Sequence, residues 1–361
     1  MKRKCKDIDI TDTNFIEECI VKCLNKKDKN RKDIHELFDT YGNVSNLASI
    51  ISYEITTQNL ILKPIWYKEK YDNSCKKLRV IGIQDIKQQI YDYIAVNALQ
   101  PVLTRIGVHQ YASIKGRGPI KGVKRIKKWL RNDNIKYACK LDIKKCYESI
   151  NRTKLMTFLK RIVKNDLLLW LIETLINTFE KGLAIGSYLS QYLCNLYLSE
   201  LYHNIYENMF RYRKKKTGKR KRINLVSKCL FYMDDILLLG TNAKDLNKAV
   251  EYIKEDANEM GLTIKPSWRT FKINTFIDIM GYRIYKNRIT IRRRVFIRIK
   301  RTAIRFRKHK TIKMARRLLS YNGQLKNSNS YIFRKRNKWN DLFNKARRMV
   351  SNESAIRLCT T

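Results

Sequence analysis

The stretch CLFYMDDILLLG, residues 229–240, places two adjacent carboxylates, Asp234 and Asp235, inside an otherwise apolar run. Apolar and aromatic residues on both sides predict two buried strands, with the acids at a tight hairpin turn between them. Like charges at this spacing repel unless a cation neutralises them, and carboxylate oxygens suit Mg²⁺. The turn is therefore either a polar hairpin tip or part of a metal site, and a third carboxylate would favour the metal site.

A third carboxylate occurs in CKLDIKKCYESI, residues 139–150, where Asp142 ends an apolar segment that we predict to be a strand. Three acids on adjacent strands can hold two Mg²⁺ ions about 3.5 to 4 Å apart, an arrangement that stabilises the attacking and leaving oxygens of phosphoryl transfer. Tyr147 follows Asp142 by five residues, near the start of the next predicted helix. The two segments together predict a phosphoryl-transfer site.

The composition favours a folded protein with a polyanionic partner. The 361 residues are 44% hydrophobic and include only 13 Gly and 4 Pro, which allows a large packed core. Lys and Arg number 77 against 32 Asp and Glu, a net charge of +45 that suits nucleic acid. No apolar segment approaches the roughly 18 to 20 residues of a spanning helix, and the N-terminus lacks an apolar signal core. We therefore expect no membrane association and a cytoplasmic location.

The cysteines and histidines indicate no further site. The nine cysteines are scattered without zinc-ligand spacing, which predicts reduced thiols. The four histidines are equally dispersed, and we assign them no catalytic role.

Periodicity gives a coarse order of elements along the chain. Residues 1–60 are predicted to be helical, and the pattern becomes β-like and basic from Leu60 to Ile83. A basic loop is predicted at 211–222, two short strands near 262–273, and a hairpin at 281–291. Further helices are predicted over 85–99, 119–130, 167–179, 191–210, 243–260 and the basic region after 292.

Six segments in a fixed order carry a resemblance to a known family. They are KKLRVIGIQD, LDIKKCY, LAIGSYLSQ, FYMDD, LTIKP and MGYRI. In this order and spacing the chain resembles reverse transcriptases of the right-hand polymerase fold, over about Ile61 to Tyr331. The resemblance implies an α+β fold with fingers, a palm built on an antiparallel sheet, and a helical thumb. The implied boundaries are an N-terminal helical extension at 1–60, fingers at 61–136, a palm at 137–285 with 150–185 inserted as fingers, and a basic thumb at 286–361.

The resemblance also implies catalytic roles. Asp142, Asp234 and Asp235 match the metal-binding acids, which hold two Mg²⁺ ions together with the backbone carbonyl of Ile143. The YMDD turn and the tyrosine of the LDIKKCY segment argue against an RNA-dependent RNA polymerase, which typically shows Gly-Asp-Asp at the turn.

Other positions match residues that bind the nucleotide and the primer. Arg79 matches the finger arginine that packs on the incoming deoxynucleoside triphosphate, with Lys77 as a helper. Tyr147 matches the aromatic gate that collides with a ribose 2′-OH, and its alternative is a core tyrosine. Lys265 lies where a lysine approaches the pyrophosphate leaving group. Gly281 and Tyr282 resemble the hairpin that grips the primer end.

The loop before the long helix points to a subclass. Many reverse transcriptases have Gln-Gly, three residues and Ser-Pro there, whereas this chain has Ile185-Gly186, three residues and Ser190-Gln191. Both changes resemble reverse transcriptases of diversity-generating retroelements, which copy a template RNA with errors at adenines. The stretches YASIKGRG, LTIKPSWRTF and SYNGQLKNSNSY point the same way.

The change at Ile185 has a physical interpretation. A glutamine beside the nascent base pair can hydrogen-bond, whereas isoleucine offers an apolar wall, so discrimination between right and wrong pairs weakens. The alternative is that Ile185 merely packs while Arg79 and Gln191 set the nucleotide pocket. A phage-defence reverse transcriptase, a group II intron-type protein and a non-catalytic RNA-binding scaffold remain other interpretations of the whole chain.

The basic tract RYRKKKTGKRKR at 211–222 has nine Lys or Arg in twelve positions. We predict that its lysines and arginines contact the backbone of template RNA and of the RNA–DNA hybrid; they are Lys214, Lys215, Lys216, Arg220 and Lys221. The alternative is a flexible, solvated loop without a specific ligand. The resemblance further implies a small basic accessory variability protein as a partner and a bacterial or phage-encoded origin.

Overall fold

The computed structural model describes residues 3–28, 30–72, 77–214 and 216–359. The side chain of Lys77 and the whole of Lys215, both predicted to bind substrate or RNA, lie outside the described residues. The helices are α1 (Thr13–Leu24), α2 (Lys32–Tyr41), α3 (Val44–Thr56), α4 (Ile86–Ala98), α5 (Gln100–Leu103), α6 (Pro119–Trp129), α7 (Cys146–Ser149), α8 (Arg152–Ile162), α9 (Asp166–Asn177), α10 (Tyr188–Glu207), α11 (Ala243–Glu259), α12 (Arg293–Lys308), α13 (Ile312–Ser320), α14 (Asn322–Lys326), α15 (Tyr331–Arg336) and α16 (Trp339–Cys359). The strands are β1 (Trp66–Asp72), β2 (Lys77–Ile83), β3 (Gln110–Tyr111), β4 (Tyr137–Asp142), β5 (Phe210–Lys214), β6 (Arg220–Asn224), β7 (Lys228–Tyr232), β8 (Asp235–Gly240), β9 (Arg269–Lys272), β10 (Ile277–Ile279), β11 (Tyr282–Ile284) and β12 (Ile289–Ile291).

The chain divides into two compact units, and the division falls within β4 and β9. The first unit comprises residues 1–117 and 139–270, and the second comprises 118–138 and 271–361. Helices and strands mix in both units, which confirms the predicted α+β class. The finer boundaries of fingers, palm and thumb stay predictions. No helix among the described residues is long and apolar enough to cross a bilayer.

The N-terminal helices of the first unit pack on α4, as α1, α2 and α3 each contact it or one another. Asp12 and Asn43 cap α1 and α3 by accepting a hydrogen bond from a backbone N–H of the first turn. The ammonium of Lys87 on α4 pairs with the carboxylate of Glu54 on α3, and both side chains are buried. The hydroxyl of Tyr91 donates to the other oxygen of Glu54. The predicted N-terminal helical region is thus joined to α4 by a buried polar network.

A five-stranded sheet with the order β3-β7-β8-β4-β9 forms the centre of the first unit. Strands β7 and β8 are antiparallel, and Tyr232 pairs with Asp235, so the turn between them consists of Met233 and Asp234. Their inner residues, from Cys229 to Phe231 and from Ile236 to Leu239, are fully buried. The predicted hairpin of two apolar strands with carboxylates at the turn is confirmed.

Two predictions for strands and loops are wrong. The tract 211–222 is not a loop, because β5 and β6 pair along their whole length as an antiparallel hairpin. Of the two strands expected near 262–273, only β9 forms, and Ile264 makes no more than an isolated bridge with Ile143. The first prediction was wrong because strand pairing depends on backbone hydrogen bonds, and a tract of charged side chains lacks the apolar alternation by which strands are predicted.

The second unit combines α6, the sheet β10-β11-β12 and α12 to α16. The helix predicted over 119–130 forms as α6, its residues Val123 and Ile126 are buried, and it packs against β11. Phe306 of α12 and Phe343 of α16 are buried core residues of the same unit. The hairpin and the basic helices predicted after residue 281 are both confirmed.

Candidate active site

Strand pairing brings the three predicted catalytic acids to one end of the central sheet. Asp142 is the last residue of β4, which lies beside β8, and Asp234 and Asp235 lie at the turn from β7 to β8. The backbone N–H of Ile143 donates to the carbonyl oxygen of Asp234 at 3.2 Å. This bond joins the end of β4 to the turn, so the three carboxylates form one cluster.

The electrostatics of the cluster are those of carboxylates that share a small space. Burial raises the pKa of Asp234, and the charge of Asp142 raises it further. Burial also raises the pKa of Asp235, and the charge of Asp234 adds to that effect. The positive charge of Arg79 lowers the pKa of Asp234. The positive charge of Lys140 likewise lowers the pKa of Asp235. A cation bound here would therefore be stabilised by both aspartates.

Lys265 contacts Asp142, one of the three acids of the cluster. Its backbone N–H donates to the carbonyl oxygen of Asp142 at 2.8 Å, and its ammonium forms an ion pair with Oδ1 of the same residue. The N–H of Lys144 donates to the carbonyl of Thr263 at 2.8 Å, so the two segments run side by side. The predicted position near a leaving group stays a prediction, and the observed partner of Lys265 is Asp142, one of the predicted catalytic acids.

The donor set fits hard divalent cations. No three His, Cys, Asp or Glu side chains of the described residues form a preformed metal cage. Mg²⁺, however, is usually held by one or two carboxylates, waters and substrate phosphates rather than by an all-protein cage. Asp142, Asp234 and Asp235 supply carboxylates whose mutual repulsion a cation would relieve.

The turn that carries Asp234 has an unusual backbone. Met233 has φ of +53°, in the left-handed region that two-residue hairpin turns of the primed types require. A non-glycine residue there is uncommon. The side-chain amide of Asn195 on α10 donates to Sδ of Met233 at 3.1 Å and to the carbonyl oxygen of Ala112 at 3.3 Å. Asn195 thus fixes the turn, a role that sequence reasoning missed.

Tyr147 lies in α7, close to the acid cluster. Its side chain is half-buried, and burial raises the pKa of its hydroxyl, with a smaller contribution from the charge of Asp234. The carbonyl oxygen of Tyr147 accepts the N–H of Leu183 at 2.9 Å, which ties α7 to the loop before α10. This position is compatible with the predicted sugar gate, which stays a prediction.

The loop at 185–191 is attached to the β1–β2 hairpin by its backbone. The N–H of Gly82 in β2 donates to the carbonyl of Ile185 at 2.9 Å. Gly186 has φ of +117°, and a Cβ there would lie 2.6 Å from the carbonyl oxygen of Gly82, so glycine is required for the contact. Ile185 is half-buried, and the carbonyl oxygen of Gln191 accepts the amide of Asn195 at 2.9 Å.

A buried aspartate that sequence reasoning missed supports the same loop. Oδ2 of Asp92 on α4 accepts the hydroxyl of Ser187 at 2.8 Å and the N–H of Leu189 at 3.2 Å, while Oδ1 accepts the amide of Gln84 at 3.2 Å. Burial raises the pKa of Asp92 to about 6. The signal available in the sequence was a lone acid within a helix that is otherwise mostly apolar and uncharged.

The predicted primer grip belongs to the second unit. Met280 and Gly281 form the turn between β10 and β11, with φ of +52° and +81°. The side chain of Tyr282 is buried, and its hydroxyl lies 3.5 Å from the carbonyl oxygen of Gln324. The turn itself is half-exposed, so any contact with a primer would involve this turn more than the Tyr282 ring.

The described residues among those predicted to contact RNA, namely Lys214, Lys216, Arg220 and Lys221, lie on the β5–β6 hairpin of the first unit. Arg211 at its base pairs with Asp245 of α11 through two bonds, at 2.8 and 3.1 Å. The guanidinium of Arg222 donates to the carbonyl of Glu207 at 2.6 Å. Lys214, Lys216, Arg220 and Lys221 are all exposed. The base of the hairpin is therefore anchored, and its outer part presents cations to solvent.

Comparison with known proteins identifies the family of the chain. Residues 67–284 match the family described as reverse transcriptase (RNA-dependent DNA polymerase), which is more than half of the chain. The protein belongs to the reverse transcriptase family, which is a family of RNA-directed DNA polymerases and hence of nucleotidyltransferases. Enzymes of this family generally use divalent metal ions. No curated protein matches the sequence.

Solved structures similar to the chain include telomerases of Candida tropicalis. The apo enzyme has a TM-score of 0.45 at 14% identity over 64% of this chain and 48% of its own. A form truncated from its C-terminal domain has a TM-score of 0.46 at 13% identity over 71% and 66%. The complex with the TWJ fragment of telomeric RNA gives 0.46 at 13% identity over 73% and 53%. This chain thus spans about half to two thirds of those chains.

Proposed function

We propose that this protein synthesises cDNA on an RNA template by two-metal nucleotidyl transfer. The observation that carries the proposal is the cluster of Asp142, Asp234 and Asp235 at one end of the sheet, with Arg79 close enough to lower the pKa of Asp234. Asp142, Asp234, Asp235 and the carbonyl of Ile143 would hold two Mg²⁺ ions. The metals, when bound, would stabilise charge on the attacking and leaving oxygens.

The chain's own residues would arrange the substrate around these acids. Arg79 is exposed on β2, and its charge acts on Asp234, which suits binding of the triphosphate of a deoxynucleotide. Tyr147, half-buried beside the cluster, would exclude a ribose 2′-OH by collision. Ile185 and Gly186 would form the apolar wall next to the nascent base pair, and Gln191 would support that wall from α10.

We further propose that synthesis is error-prone at template adenines, as part of a diversity-generating retroelement. The support is the sequence Ile185-Gly186-Ser187-Tyr188-Leu189-Ser190-Gln191 together with the half-buried position of Ile185, which offers the nascent pair no hydrogen bond. A small basic accessory protein and a cytoplasmic location in a bacterial host belong to this same proposal.

Primer extension on a defined RNA template, followed by sequencing of the cDNA, tests both parts. Extension that depends on Mg²⁺ and on deoxynucleotides, with misincorporation concentrated opposite adenine, is the expected result. Extension with uniformly low error would contradict the diversity-generating assignment, while the proposed polymerase activity would stand. RNA binding without any extension, with or without an accessory protein from the same locus, would indicate a non-catalytic scaffold.

A further inference from the structure

The β5–β6 hairpin carries an exposed aromatic ring that the proposed active site does not use. Tyr212 is 60% exposed at the middle of β5. In the antiparallel register, Phe210 pairs with Asn224, Tyr212 with Arg222 and Lys214 with Arg220. Because alternate residues of a strand share a face, these six side chains lie on one face of the hairpin.

The ring of Tyr212 is supported from the base of the hairpin. Its centroid lies 5.5 Å from that of Phe210 in an edge-to-face contact. The guanidinium of Arg222 lies over the ring of Phe210, 3.9 Å from its centroid. Arg222 is itself tied to the carbonyl of Glu207. The tyrosine ring is therefore held in place by its neighbours while most of its surface remains open.

Cations lie next to this ring on the same face. Lys214 and Arg220 form the next rung outwards, about 7 Å along the strand from Tyr212, and both are exposed. Among the ion pairs of the described residues, none involves Lys214 or Arg220. An open ring beside exposed cations combines the two features that bind single-stranded nucleic acid, namely base stacking and backbone neutralisation.

We propose that Tyr212 is a stacking platform for an unpaired base of RNA, and that Lys214 and Arg220 neutralise the adjoining phosphates. The inference rests on the proposed function, in which template RNA is the polyanion bound by this chain. A base within a double helix has both faces stacked and is closed to the ring, so the hairpin selects single-stranded over duplex RNA.

The platform lies away from the acid cluster. β7 starts at Lys228, shortly after the hairpin ends, and runs towards the turn with Asp234 at its far end. The two ends of β7 are about 14 Å apart. The base of the hairpin is therefore connected to the end of β7 that is remote from the acid cluster.

The test compares binding of a 12-nucleotide single-stranded RNA and an RNA duplex by fluorescence anisotropy across a salt series. Tyr212→Ala should weaken single-strand binding by about 5- to 100-fold, and should leave both duplex affinity and the slope of log affinity against log salt unchanged. Tyr212→Phe should bind as the wild type does. Lys214→Gln with Arg220→Gln should flatten the slope by about 0.7 for each phosphate that is no longer neutralised.

Two control variants test whether weaker binding comes from a loosened hairpin or from the loss of any exposed tyrosine. Tyr212→Thr places a β-branched residue of high strand propensity in β5 and lacks the ring, so it should reproduce the weaker binding of the alanine variant even if alanine loosens the hairpin. Tyr53→Ala removes a tyrosine that is 70% exposed on α3 and should change nothing.

Equal affinity of Tyr212→Thr and wild type, or an equal loss of affinity for duplex and single strand, would overturn the platform. If the ring is needed for binding but the wild type extends no primer, the platform stands and the proposed polymerase function fails. If the wild type extends primers and the ring has no effect on binding, only the platform fails.

Discussion

Lys265 and Asp142 are joined twice, by a backbone hydrogen bond of 2.8 Å and by an ion pair between the side chains. One predicted catalytic acid of the cluster is therefore already paired with a cation of the chain, whereas Asp234 and Asp235 have pKa values raised by burial and by neighbouring carboxylates. A metal ion that binds Asp142 has to compete with this ammonium.

Removal of Lys265 should strengthen metal binding. Lys265→Met frees the Asp142 carboxylate, and because the pair is partly exposed, Mn²⁺ affinity measured by electron paramagnetic resonance without nucleotide should rise about 2- to 5-fold. Lys254→Met, which breaks the ion pair with Glu251 on α11, is the matched control and should leave Mn²⁺ affinity unchanged. No gain in Lys265→Met, or the same gain when Asp142→Asn is added, would contradict competition at Asp142.

Asp234→Asn should abolish primer extension and preserve RNA binding. The amide is nearly isosteric but carries no charge, so a divalent ion loses a ligand while the hairpin turn is retained. Extension rate and RNA affinity are measured on the same preparation, with the exposed Asp39→Asn as control. Synthesis above a few per cent of the wild-type rate would count against the assigned site.

Tyr147→Ala should admit ribonucleotides, because the ring that would meet a 2′-OH is gone. The measured quantity is the ratio of kcat/KM for a ribonucleotide and its deoxynucleotide, and it should rise at least about 10-fold, equivalent to loss of about 1.4 kcal/mol of discrimination. Tyr147→Phe keeps the ring and should keep the ratio. An unchanged ratio in Tyr147→Ala would mean that the tyrosine is a packing residue.

Ile185→Gln should lower misincorporation opposite adenine several-fold, with a smaller effect on the overall rate. The new amide can hydrogen-bond beside the nascent pair, and such a bond is worth on the order of 1 kcal/mol. Sequencing of cDNA made on one template by the two proteins decides the matter, with Ile185→Leu as the control of similar volume. Equal adenine errors in all three would show that Ile185 only packs.

Asp92 should make stability depend on pH between about 4 and 6. Its pKa is raised in the folded protein to about 6 from an ordinary value of 3.8, so the folded state binds the proton more tightly than the unfolded state. The resulting stabilisation is fully present below pH 4 and is lost as pH rises through 6. Denaturation midpoints of the wild type and Asp92→Asn at pH 4, 5, 6 and 7 measure this contribution.

Asp92→Asn should lack that part of the pH dependence, because the amide does not titrate and its oxygen can still accept from Ser187. Asp92→Ala, which leaves the Ser187 hydroxyl and the Leu189 N–H without their acceptor, should be less stable than either at every pH. Parallel pH profiles of wild type and Asp92→Asn would mean that Asp92 is not the titrating group.

The parts of the fold that the sequence predicted include those with many apolar residues. The β7–β8 hairpin has buried residues on both sides of its acids, and α10 is a long, largely apolar helix. The hairpin of β5 and β6 was missed because its register depends on backbone bonds between residues that are mostly charged. The many charged residues of this segment correctly indicated that it is exposed, but they gave no signal of its strand pairing.

The clustering of the three acids was predictable for a different reason. Asp234 and Asp235 interrupt an apolar run, and Asp142 ends one, so each stands out in the sequence. Asp92 and Asn195 could not be found in this way, because each lies within a helix and its partner is distant along the chain. Only the packing of α4 and α10 brings Asp92 to Ser187.

The hydrogen bond from Gly82 to Ile185 links two properties that are usually discussed separately. β2 carries Arg79, proposed to bind the incoming triphosphate, and Ile185 forms the proposed wall beside the new base pair. A displacement of β2 that tightened its hold on the nucleotide would reach that wall through this backbone bond. Affinity for nucleotides and error rate would therefore evolve together, and a variant selected for faster synthesis at low nucleotide concentration would also change its mutation spectrum.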